Sequence, residues 1–72
     1  MEKEDKYLKG IGRNIREKRE LKRFSQQELA DHCNIAKSTI QRIEKGTMNP
    51  TILMLKNIAE VLTVSIEEII KV

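Results

Sequence analysis

The four residues Ser25-Gln26-Gln27-Glu28, followed by Leu29 and Ala30, mark the start of a helix. A serine at the N-cap and a glutamate three residues on can each satisfy the other's free backbone N–H. The helix they open spans Gln26 to about His32 and is soon stopped by Asn34, a residue that tolerates a left-handed turn conformation. A further helix then starts near Ala36 or Lys37 and ends at Gly46. The segment from about 26 to 45 is therefore held to two short helices joined by a tight turn. Ile35, Ala36, Ile40 and Ile43 carry the apolar side of the second.

The remaining punctuation is also helical. The first helix presents Leu8, Ile11 and Ile15 inward, with Leu21 a further candidate, and closes at Arg23-Phe24. Gly10 and Gly12 each weaken it by about 1 kcal/mol relative to alanine. Residues 1–10 accordingly read as an N-terminal extension, either frayed or the start of the first helix, and 11–72 as the domain proper. Thr51 caps a fourth helix with a buried stripe of Ile52, Leu55, Ile58, Ala59 and Leu62. Ser65-Ile66-Glu67-Glu68 is a second capping box and opens a short last helix with Ile66, Ile69 and Ile70. The expectation is an all-α, compact five-helix bundle.

With 72 residues the chain has room for one domain, and its core is small unless a second copy adds to it. Hydrophobic residues make up 39% and charged residues 35%, a balance that fits neither a disordered tail nor a membrane protein. No apolar run approaches membrane-spanning length, and no secretory signal precedes the first helix, so a cytoplasmic location is expected. Cys33 has no second cysteine to pair with, and His32 beside it does not make a metal site, which needs three or four converging ligands. No motif surrounds either residue with a base, an orienting carboxylate or a phosphate loop, and Glu67 and Glu68 point different ways on a helix. An enzyme, a cofactor and a small-molecule ligand are not expected. Lys9, Arg13, Arg16, Lys18, Arg19, Lys22 and Arg23 crowd the first third, whereas Glu60, Glu67 and Glu68 gather near the end. That polarity suits an anionic partner on one side of the molecule.

Lys37, Ser38, Gln41 and Arg42 protrude from the helix that Ile40 and Ile43 anchor. A DNA major groove about 12 Å wide accepts one helix, and glutamine can pair with adenine while lysine or arginine donates to guanine. Ser38 and Thr39 can reach phosphates or pack on a thymine methyl. The polar face is expected to read base edges of double-stranded DNA.

The stretch "SQQELADHCNIAKSTIQRIEKGTMNPTILMLKNIAEVL" resembles the helix-turn-helix domain of Cro/CI-type regulators, the Xre family. The resemblance extends from about Ile11 to Ile70 and implies a lambda-repressor-like fold that regulates transcription by binding a palindromic operator, usually as a homodimer. By position it implies that Gln26 contacts phosphate and braces the first reading residue. It further implies that Lys37, Ser38 and Gln41 contact bases, with Arg42 at the edge of that face, and that Thr39 contacts phosphate or base. Lys45, Thr47 and Asn49 fall where such domains touch the DNA backbone, and Arg19 and Glu44 match a structural ion pair.

The chain departs from the family pattern in three ways. Ala36 stands where a serine or threonine cap is usual, so the free N–H groups need Asn34, water or a phosphate; alternatively Ser38 and Gln41 form their own capping box and the helix starts two residues later. Asn34 replaces a turn glycine. Leu53 and Met54 are apolar where the family is mostly polar, and with Ile66, Ile70 and Val72 they are the expected dimer contact. A stand-alone regulator controlled by its own concentration follows. The competing expectation is a protein-interaction module, an antitoxin or an antirepressor partner, working through the surface of the last two helices.

Overall fold

A computed structural model describes residues 2–72, with side chains from Asp5 onward. Five helices follow in order: α1 Glu2–Leu21, α2 Gln26–Cys33, α3 Lys37–Lys45, α4 Ile52–Leu62 and α5 Ile66–Ile70. Met1, part of the expected extension, lies outside the described residues; residues 2–10 form the first half of α1.

Most boundaries have a local cause. Ser25 and Ser65 both make reciprocal capping boxes, with Glu28 and Glu68 respectively. Thr51 accepts from the Met54 N–H and starts α4. Asn34 ends α2 at φ 60° and Gly46 ends α3 at φ 75°. Thr63 ends α4 in the same left-handed region at φ 61°, a position disfavoured for a β-branched residue. Its hydroxyl accepts from Lys22 Nζ at 2.6 Å. At the start of α3, Ala36 is the N-cap and supplies no side-chain hydrogen bond. The helix begins at Lys37, so Ser38 and Gln41 form no capping box, and Asn34 does not cap it either.

The core is built from Ile11, Ile15, Leu29, Ala30, Cys33, Ile40, Ile43, Leu55, Ile58, Ala59, Leu62 and Ile69, drawn from all five helices. Several expectations need correction. Leu21 is 78% exposed because, six residues after Ile15, it points about 120° away from the inner line of α1. Ile52 is in phase with Leu55 but is 63% exposed at the first residue of α4, one turn before the stripe meets the core. Ala36 is exposed as the α3 cap. Met54, Ile66 and Ile70, expected as dimer contacts, are half-buried and pack against the core of their own chain.

The glycines of α1 act through space. A Cβ on Gly12 would run into the Ile43 carbonyl and lie 2.6 Å from the Glu44 carbonyl oxygen. The α1 backbone therefore sits directly on the end of α3. At the far side, Asn14 Nδ2 donates to the Ile69 and Lys71 carbonyls at 2.8 and 2.9 Å, tying α1 to the C-terminal segment. Asn57 Nδ2 donates to the Cys33 carbonyl at 3.0 Å and joins α4 to the end of α2. Phe24 stacks on His32 with ring centroids 5.1 Å apart, closing the α1–α2 turn over α2.

Candidate nucleic-acid interface

Helix α3 is anchored by two side chains and displays the rest. Ile40 and Ile43 are buried, whereas Lys37, Ser38, Gln41, Arg42 and Lys45 are exposed. Lys37, Gln41 and Lys45 recur at four-residue intervals, as do Ser38 and Arg42, so the five share one outward face. Thr39 is half-buried at its margin. The first N–H groups of the helix have no side-chain cap and are open to an external acceptor.

Behind this face lies a charged brace. Arg19 Nε donates to Glu44 Oε2 at 2.6 Å and Nη2 to Oε1 at 3.1 Å, a two-pronged pair between α1 and the end of α3. Its third donor, Nη1, reaches the Phe24 carbonyl at 2.8 Å. The Glu44 and Arg19 side chains are only 4% and 11% exposed. The hydrogen bond to Glu44 outweighs desolvation and holds the Arg19 guanidinium more firmly protonated than usual. Removing one partner of such a pair leaves a buried charge unmatched, a loss of about 3–5 kcal/mol.

Gln26 joins the same network. Its Nε2 donates to Glu44 Oε1 at 3.0 Å. A carboxylate only accepts, so the amide nitrogen must face inward and Oε1 is left for another donor. The resemblance gave Gln26 an outward role; the additional inward bond depends on Glu44 lying across the fold and has no local signature. Gln26, Gln41, Arg16, Arg19, Glu44 and Lys45 together line a hollow of about 380 Å³ between α1, α2 and α3.

The loop after α3 is less uniform. Thr47 and Asn49 are exposed. The Thr47 hydroxyl donates to the Arg42 carbonyl at 3.3 Å, helping to end α3. Asn49 instead borders a separate hollow with Asp5, Tyr7 and Leu8. Of the expected dimer contacts, Leu53 and Val72 are exposed at 72% and 63%, and Met54, Ile66 and Ile70 are half-buried.

Cys33 is buried, and burial pushes its thiol pKa up, the opposite of an activated nucleophile. Among the described residues no group of three or more histidine, cysteine, aspartate or glutamate side chains is placed to hold a metal ion. Among the same residues no helix is long and apolar enough to cross a membrane.

Comparison with known proteins agrees with this geometry. Residues 15–69 match the helix-turn-helix family HTH_3. The chain is 36% identical over 61 residues to the HTH-type transcriptional regulator SinR of Bacillus subtilis strain 168, covering 83% of this chain and 55% of that protein. SinR of Bacillus licheniformis gives the same figures, so the chain spans about half the length of these curated relatives. The restriction-modification controller protein C.AhdI of Aeromonas hydrophila superposes with a TM-score of 0.83 at 27% identity, covering 86% of this chain and 94% of that one. An HTH_3 family transcriptional regulator of Vibrio cholerae superposes with a TM-score of 0.85 over 92% of this chain and 37% of its own; at 24% identity that likeness concerns the fold.

Proposed function

The chain belongs to the helix-turn-helix family HTH_3, and on that premise we propose that it is a transcriptional regulator that binds double-stranded DNA in a sequence-specific way. One observation carries the reading. Helix α3 sets Lys37, Ser38, Gln41 and Arg42 on an exposed face, while Ile40 and Ile43 lock its back into the core. A rigid helix with that row of donors and acceptors suits a major groove, where base edges supply the matching groups. Lys37, Ser38, Gln41 and Arg42 read bases. Gln26, Thr39, Lys45, Thr47 and Asn49 contact phosphates, which set position without carrying sequence. Arg19 and Glu44 hold α3 at its angle to α1.

The working unit is a homodimer on a palindromic operator, in the cytoplasm. A single small module buries little surface on DNA, and two copies place their reading helices about 34 Å apart, one helical turn. Exposed Leu53 at the start of α4, beside half-buried Met54, supports a second copy as the partner.

Gln41→Ala tests the reading. Competition binding against duplexes differing at single base pairs should show lost discrimination at one position and about 1–3 kcal/mol weaker binding to the preferred site. Binding to random duplex should hardly change. Discrimination intact at every position would put Gln41 off the base edges and remove α3 as the reader in this register.

A further inference from the structure

Helix α1 has a basic edge that the reading of α3 does not use. Lys9, Arg13 and Arg16 follow one another at i, i+4 and i+7 and therefore share one side of α1. All three are exposed. Several contacts fix where that side lies. A Cβ on Gly46, the C-cap of α3, would meet the Lys9 Cα and Cγ at 2.7 Å. Gly12 backs onto the Ile43 and Glu44 carbonyls. One turn further on, Arg16 lines the same hollow as Gln41 and Lys45. The edge thus runs alongside α3, next to its outward face.

Its charge is mostly uncompensated. Arg16 Nε reaches Glu20 at 3.4 Å, but the two side chains are 63% and 57% exposed, where such pairs contribute little. Among the described residues neither Lys9 nor Arg13 has an acidic partner within ion-pair distance. Three cations elsewhere do have one: Lys18 reaches Glu68, Arg19 is bound by Glu44, and Lys56 reaches Glu60. Lys9, Arg13 and Arg16 thus keep exposed, weakly compensated charge on the edge that borders α3.

We propose that Lys9, Arg13 and Arg16 form a second row of DNA-backbone contacts, gripping phosphates beside the groove that α3 enters; this rests on α3 being the DNA-reading helix. From Lys9 to Arg16 the helix rises about 10 Å, and one strand carries a phosphate every 3.4 Å or so along the duplex axis, so the row faces about three phosphates. Cations on phosphates supply affinity and salt sensitivity, not base choice.

The test is a salt series of binding to both random and preferred duplexes. It compares the wild-type chain, a Lys9→Gln, Arg13→Gln, Arg16→Gln variant, a variant with arginine 13 and 16 replaced by lysine, and Lys56→Gln. The triple glutamine variant should lower the slope of log K against log salt by about two to three, since each phosphate contact adds roughly 0.9. Its ratio of preferred to random binding should stay unchanged, the lysine variant should keep the slope, and Lys56→Gln, on α4, should keep it too. All the changed side chains are exposed, and matching thermal melts check that folding is intact. An unchanged slope in the triple variant, with wild-type protein still binding selectively, would overturn the proposal alone. A fall of about 0.9 in Lys56→Gln, about one third of that in the triple variant, would also overturn it, by tracing the effect to net charge. No DNA binding by the wild-type chain would remove the reading of α3 and this proposal together.

Discussion

Gly12 owes its place to a neighbour distant in sequence. Alanine there would add helix propensity worth about 1 kcal/mol, yet its Cβ would meet backbone carbonyls of Ile43 and Glu44 that have no side-chain freedom to move aside. Gly12→Ala should therefore lower stability by about 1–3 kcal/mol, the usual cost of overpacking, as read from the urea midpoint. A gain instead would mean that α1 and α3 are not in close contact. Other residues were readable from local pattern: Ile11, Ile15, Ile40, Ile43, Ile58 and Ile69 all sit where a 3.6-residue period puts them, and all are buried. Leu21 is exposed because it lies off the inner line of α1, and Ile52 because at the first residue of α4 the period continues but the packing partner does not. The same limit hid the inward bond from Gln26 to Glu44, two residues on different helices.

At the scale of the element, short polar signatures located the helices well. Ser25 with Glu28, and Ser65 with Glu68, form both halves of their capping boxes, and Asn34 takes the left-handed conformation that its turn requires. Helix α3 is the exception, since Ala36 gives no cap signal and left its start open between Lys37 and a point two residues later. The start at Lys37 follows from anchoring: Ile40 is fully buried and accepts the register that puts it there, whatever the cap. Ala36→Ser should then stabilise the fold by about 0.5–2 kcal/mol by satisfying a free N–H. Urea unfolding measures this; an unchanged midpoint would mean that those N–H groups already have partners. Because the register stays the same, the set of exposed side chains on α3 stays the same as well.

For the whole molecule, the charge pattern and the apolar surface divide the work. Basic side chains lie around α1 and α3, and the large exposed apolar groups include Ile52 and Leu53 at the start of α4. If a second copy covers Leu53, Leu53→Glu should weaken self-association about tenfold or more, from the loss of roughly 1.5–3 kcal/mol of apolar burial. Sedimentation equilibrium gives the constant, and an unchanged melting temperature is expected for so exposed a side chain. Association unaltered by Leu53→Glu would place the dimer contact elsewhere. Fold class was legible because every helix carries its own apolar period and most carry a start or stop signal. The surface proposed to meet DNA was legible only in part, because the part proposed for α1 depends on its close approach to α3.

Selection of bound duplexes from a random-sequence pool, at roughly physiological salt, bears most directly on α3 as a reader of bases, since affinity for DNA varies steeply with salt. The expected result is a palindromic consensus whose half-sites are centred about 10 base pairs apart, one turn of the duplex. A pool that yields no preferred sequence, only salt-sensitive binding to any duplex, would contradict sequence reading by Lys37, Ser38, Gln41 and Arg42.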